Sequence, residues 1–221
     1  MRIKTILFLL CALPLASFAH DVSGGDRALL ENGGLLAYIW VGAKHMLTGY
    51  DHLLFLVGVI FHLKNFRQIV RFITAFTIGH SLTLISATYL QVAVNEHLID
   101  AIIGLSVLYK GFENLGLFQK LLTVNPPHLL NMVFTFGLIH GLGLSARLQS
   151  FALDQEQILL KIISFNVGVE LGQVLALIPI VLLINFLRTK TSFDPLFKAI
   201  NTYLILAGLA LTSYQLWLWL G

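Results

Sequence analysis

The sequence predicts an all-α integral membrane protein, a single bundle of six transmembrane helices following a cleaved signal peptide. Three observations predict it. Of the 221 residues, 57% are hydrophobic and only 11% charged, against roughly 25% charged in soluble domains. Mean hydropathy is +0.84. The apolar residues fall into runs with room for about six helices of about 20 residues each, which leaves no length for a second domain beside the bundle.

The chain begins with Met1-Arg-Ile-Lys4, an apolar run over residues 6–15, and Ser17-Phe-Ala19. A basic start, a short apolar stretch and small residues before a cleavage point read as a signal peptide, residues 1–19. An uncleaved first anchor is the other reading, but the run is short for a span. Cys11, the one cysteine, lies inside this segment. The mature chain then carries no thiol, so disulfides and thiolate metal sites are excluded and any metal must take nitrogen and oxygen ligands. Residues 20–34, polar and glycine-rich, read as a short, flexible exported arm, and residues 35–221 as the transmembrane domain.

Within that domain the apolar runs place helices at 35–63, 69–90, 98–118, 129–148, 158–187 and 198–220. The first and fifth exceed what the hydrocarbon needs, which predicts tilt, a break or a stretch outside the membrane, with Gly49 and Pro179 as the breaking points.

Loop charges orient the bundle. Lys64, Arg67 and Arg71 follow the first helix, Lys120 the third, and Arg188, Lys190 and Lys198 the fifth. The other side holds Asp21, Asp26, Arg27, Glu31, Glu96, Asp154 and Glu156. The positive-inside rule places the basic loops in the cytoplasm and both mature termini outside a plasma (inner) membrane crossed several times. The formal charge of +3 and pI near 9.1 then report orientation. No phosphate-cradling loop or aromatic nucleic-acid platform is present, so the partners expected are the lipid bilayer and a metal ion, not nucleic acid; a homo-oligomer is left open.

The informative residues are the ionisable ones at membrane depth. Asp51 and His52 fall in the middle of the first helix, His80 of the second, His140 of the fourth and Glu170 of the fifth. A charge at that depth costs roughly 2.5–3.5 kcal/mol on insertion scales, so such groups are paired, hydrated or metal-bound. One imidazole alone is explained by a bond to a neighbouring carbonyl. Five ionisable groups from four helices at one depth point to a shared site.

Spacing adds detail. Asn166, Glu170 and Gln173 lie on one face of the fifth helix, so Asn166 and Gln173 are candidates to hold Glu170 or a facing imidazole. Ser106, Tyr109 or Lys110, and Glu113 form a stripe on the third, with Asp100 at its outer end; Lys110 and Glu113 are also explained as a pair. His45 and His52 share a face but are roughly 10 Å apart along a straight helix. Either Gly49 breaks the helix and brings them together, or His45 is an outer station on a path to His52; the second reading is preferred. Asp51, about 100° round from His52, is placed to orient another imidazole or to accept from a neighbouring helix. Gly137, Gly141 and Gly143, with Gly168 and Gly172, match small-residue helix packing.

Imidazoles and carboxylates without thiols suit a divalent transition metal, nickel, zinc, cobalt, copper(II) or iron(II), better than magnesium or calcium, with nickel, cobalt or zinc the expected cofactor. The metal-ligand candidates are His45, Asp51, His52, His80, His140 and Glu170, supported by Asn166, Gln173, Ser106 and Tyr109.

His45-x5-Asp51-His52, Phe76-Thr-Ile-Gly-His80-Ser, Ser106-Val-Leu-Tyr109 with Glu113-Asn114, Phe136-Gly-Leu-Ile-His140-Gly and Phe165-Asn-Val-Gly-Val-Glu170-Leu-Gly-Gln173 resemble the HupE/UreJ group of membrane proteins. The resemblance covers roughly residues 40–180. It implies a hydrogenase or urease accessory protein of about six helices that moves nickel or cobalt, with His45, Asp51 and His52 matching the family's first motif. The second motif of better-known members has a further His and a Glu where this chain has Gly137 and Leu144, so only His140 carries over.

Three functions follow as expectations. One is transport of a divalent transition metal through the intramembrane site. Another is an intramembrane zinc hydrolase in which Asp51 or Glu170 acts as base on a bound water. The third is a metal-binding accessory protein or sensor without transport.

Overall fold

A computed structural model describes residues 24–61, 63, 65–149 and 157–221. The expected signal peptide, residues 20–23, Lys64, Asp154 and Glu156 lie outside the described residues. Among the described residues, every regular element is helical: α1 Gly24–Asn32, α2 Leu35–Thr48, α3 Tyr50–Ile60, α4 Phe66–Tyr89, α5 Glu96–Asn114, a π-helical turn Phe118–Leu122, α6 Leu129–Gln149, α7 Ile158–Arg188 and α8 Phe193–Leu220.

Among the described residues four helices, α4, α6, α7 and α8, are long and apolar enough to cross a membrane, not the six expected. Two physical reasons account for the difference. The first predicted helix is broken at Gly49 into pieces of 14 and 11 residues. The third, α5, carries Glu96, Asp100, Lys110 and Glu113 within 19 residues. Its buried charges are answered inside the bundle: Lys110 Nζ lies 2.5 Å from Glu113 Oε2, and Arg147 Nη2 of α6 lies 2.5 Å from Asp100 Oδ2.

The arm expected at 20–34 is helical from Gly24. It is tied to α2 by Lys44, which pairs with Asp26 at 2.8 Å, and by the Tyr38 hydroxyl, which donates to the Leu30 carbonyl at 2.6 Å. Local chemistry starts two of the long helices. The side chains of Asn65 and Asn95 accept from the backbone N–H of Gln68 and Leu98 at 2.9 and 3.0 Å, caps worth about 1 kcal/mol each.

Three closely packed helix pairs build the bundle: α2 with α7, α4 with α6, and α5 with α8. Glycine permits the approach. A Cβ on Gly168 would collide with the Ile39 carbonyl, and one on Gly141 with the His80 carbonyl, so the backbones meet directly. Gly137 and Gly172 face a neighbouring helix in the same way, whereas Gly143 faces Ile99 of α5.

The short helix α3 fills the space between these pairs and packs against α5, α7 and α8. Its Phe55, Leu56, Val59 and Ile60 are buried. Asn114 of α5 donates to the Gly58 carbonyl of α3 at 2.9 Å and to Asn201 of α8 at 2.6 Å. Pro179, expected to break the fifth helix, does not: α7 runs through it unbroken for 31 residues. Buried Ala176, Leu177 and Ile184 on either side hold the helix in place.

Candidate metal centre

The break at Gly49 creates the centre. Its φ of −71° and ψ of 104° are extended, and its N–H still donates to the His45 carbonyl at 2.9 Å, closing α2. The chain then restarts as α3 with Asp51 and His52 in the first turn. The helix N-terminus carries partial positive charge and favours the Asp51 carboxylate. The turn also brings the His45 and His52 rings to 5.1 Å, centroid to centroid. This corrects the reading of His45 as a separate outer station, which assumed a straight helix.

From α6, His140 reaches the same place, its ring 4.8 Å from that of His52. Asp51, His52 and His140 are each 2% exposed. One potential ligand atom from each lies within 4.8 Å of those of the other two. The site is assembled from α3 and α6, elements far apart in the chain.

Hydrogen bonds orient the imidazoles. His140 Nδ1 lies 2.7 Å from the Phe136 carbonyl oxygen. A carbonyl only accepts, so Nδ1 carries the proton and a neutral His140 presents Nε2 as its basic nitrogen. His52 Nδ1 lies 3.1 Å from Asp51 Oδ1, which holds the ring in the same way. Asp51 thus orients its own neighbour, not a different imidazole as its angular position suggested. A ring N–H held by an oxygen is how metal-binding histidines are usually supported.

A model of HupE/UreJ proteins matches residues 27–221. The chain belongs to the HupE/UreJ family. No curated protein and no solved structure matches it.

In this HupE/UreJ protein the remaining predicted site residues take different places. His80, fully buried on α4, directs Nδ1 at Asn166 Oδ1 across the α4–α7 contact at 2.9 Å. Asn166 Nδ2 donates to the Ile162 carbonyl, which fixes the carboxamide with its oxygen toward the ring. Phe76 stacks on His80 at 6.1 Å and meets His140 edge-on at 5.1 Å, so His80 lies one ring beyond the three-residue cluster. Gln173 accepts from the Thr77 hydroxyl at 3.0 Å, not from an imidazole. Ser106 donates to the Ile103 carbonyl at 2.6 Å. Tyr109 meets Phe118 at a tilt and Phe136 edge-on, at 5.0 and 5.7 Å, with Phe136 between it and Phe55.

Glu170 is not brought to the cluster. It is exposed on the outer side of α7, because Asn166, Val169 and Gln173 take the buried face and a residue one further step round the helix turns outward. Equal depth on a helix does not fix azimuth.

Two rings beside the cluster were not named as site residues from the sequence, Phe55 and Phe76, although Phe76 opens one of the quoted stretches. Their rings lie 6.1 and 5.1 Å from His140 and 6.0 Å from each other. The signal was there in their spacing: Phe55 follows His52 by three positions and Phe76 precedes His80 by four, so each shares a face with its histidine.

Proposed function

We propose that this HupE/UreJ protein carries a divalent transition metal ion, nickel or cobalt, across the membrane. Asp51, His52 and His140 are the transient ligands, and His45 and His80 flank them. The single observation that carries this reading is the convergence of two buried imidazoles and a buried carboxylate with ligand atoms within 4.8 Å. That donor set matches the borderline metals. A discontinuous helix whose half begins at the site is also a recurrent element of membrane transport sites. The family's association with hydrogenase and urease, both nickel-using systems, supports the same cargo.

In the proposed orientation residues 20–34 and the C-terminus face outward and Arg67, Arg71, Lys120, Arg188, Lys190 and Lys198 face the cytoplasm, in the inner membrane. Metal is taken up on the side of His45 and released toward the basic loops. The test is uptake of radioactive nickel and cobalt into proteoliposomes by the wild type and by His52→Ala and His140→Ala. Uptake by the wild type and its loss in both variants is expected. Unaltered uptake in both would overturn the reading.

A further inference from the structure

Two adjoining cavities lead from the metal centre toward the end of the bundle that carries Arg67, Arg71 and Arg188. The first lies among α3, α4, α6 and α7, lined by Leu56, Ile73, Val133 and Leu177, with Phe55 and Phe76 at the end that touches the histidines. The second shares Leu63 and Ile69 with it and reaches Asn65, Asn185 and Arg188. Arg188 closes over this end by donating to the Phe61 carbonyl at 3.1 Å.

One polar side chain lines the first cavity. Gln173 gives only apolar atoms to the wall, and its Nε2 is buried behind them without a hydrogen-bond partner. Buried amide N–H groups normally find a partner, protein or water, and an unmatched one just behind an apolar wall is a place where water binds when the space widens.

We propose that Phe55 and Phe76 are the gate between the metal centre and an exit vestibule formed by these two cavities. This rests on the transport reading. A metal leaving nitrogen and carboxylate ligands must regain water, and a narrow apolar passage blocked by two rings stays dry, which stops the ion as a hydrophobic constriction does. Phe55 stands on α3, the short helix hinged at Gly49, and Phe76 on α4, so a tilt of α3 separates the rings. Water then enters as far as Gln173, and the ion passes toward Asn65 and Asn185. The described arrangement is the state closed on the basic side.

The test uses the full chain with Cys11→Ser, reporting through Ile73→Cys on the vestibule wall, in membranes whose outer side is open to a small membrane-impermeant thiol reagent, which must pass the two rings to reach the cysteine. Phe55→Ala/Phe76→Ala is expected to speed labelling of that cysteine by about tenfold or more as the dry barrier is removed, and to raise downhill nickel flux. Nickel bound by the purified protein is measured in parallel, so that loss of the site is told apart from loss of the gate. Phe76→Trp, which fills more of the passage, is expected to slow flux and serves if the double alanine variant fails to fold. Labelling and flux that do not change in a variant that still binds nickel would overturn the gate while transport stands. Absence of flux in the wild type would overturn the transport reading, and the gate with it.

Discussion

The His52 and His140 rings meet edge to face, 4.8 Å apart and tilted by 67°. One belongs to the first turn of an 11-residue helix buried in the bundle, the other to a long helix packed through glycines against α4. The centre therefore depends on two separate placements, that of α3 by the Gly49 break and that of α6 by its contact with α4.

Gly49→Ala should damage the centre without unfolding the bundle. The backbone there is extended and open to any residue, but an added Cβ would stand 2.7 Å from His52 Nδ1 and 3.2 Å from Asp51 Oδ1. Nickel affinity by isothermal titration calorimetry is expected to fall by roughly 10–100-fold, as when the partner orienting a ligand is lost. Helical content by circular dichroism should match the wild type.

Asp51→Asn removes the charge that holds His52 and offers one weaker ligand atom. Affinity should again drop by about 10–100-fold. If calorimetry shows an unchanged constant, Asp51 is neither ligand nor orienting group.

Glu170→Gln separates the geometry from the sequence pattern. Because this side chain is exposed on α7, metal content measured by mass spectrometry should equal that of the wild type, while His140→Ala loses the metal. Loss in the Glu170 variant would mean that the carboxylate reaches the centre after all.

Bound metal should stabilise the fold by mass action. At a free nickel concentration 100 times the dissociation constant, the gain is about 2.7 kcal/mol. It is read as a rise in the unfolding temperature in detergent that a chelator reverses. The rise should vanish in His52→Ala.

The Lys110–Glu113 pair, with side chains 0% and 6% exposed, lies between the Gly58 face of α3 and α8. Glu113→Gln leaves a buried ammonium without its counter-charge, a loss of about 3–5 kcal/mol. Replacing both residues by apolar ones, Lys110→Met with Glu113→Leu, should recover most of it. Thermal unfolding of the two variants side by side makes the comparison.

Much of this was legible in the chain. Composition and apolar runs identify a helical membrane protein, because lipid leaves a spanning backbone few ways to satisfy its own hydrogen bonds. The depth of Asp51, His52 and His140 marks a site, because ionisable groups in that setting need partners. Gly49 was readable as a break.

Other features were decided only by the packed bundle. The sequence supplies depth along each helix, whereas the direction a side chain faces depends on which neighbours the helix meets. That is why Glu170, on a stripe with Asn166 and Gln173, turns outward, and why Gln173 bonds Thr77 and not an imidazole. It is also why α5 can hold four acidic and basic residues: Lys110 and Asp100 have partners placed by the fold. The contact of His45 with His52 and the two phenylalanines beside His140 belong to the same class. A one-dimensional pattern says that polar groups must be answered, and only the tertiary structure chooses what answers them.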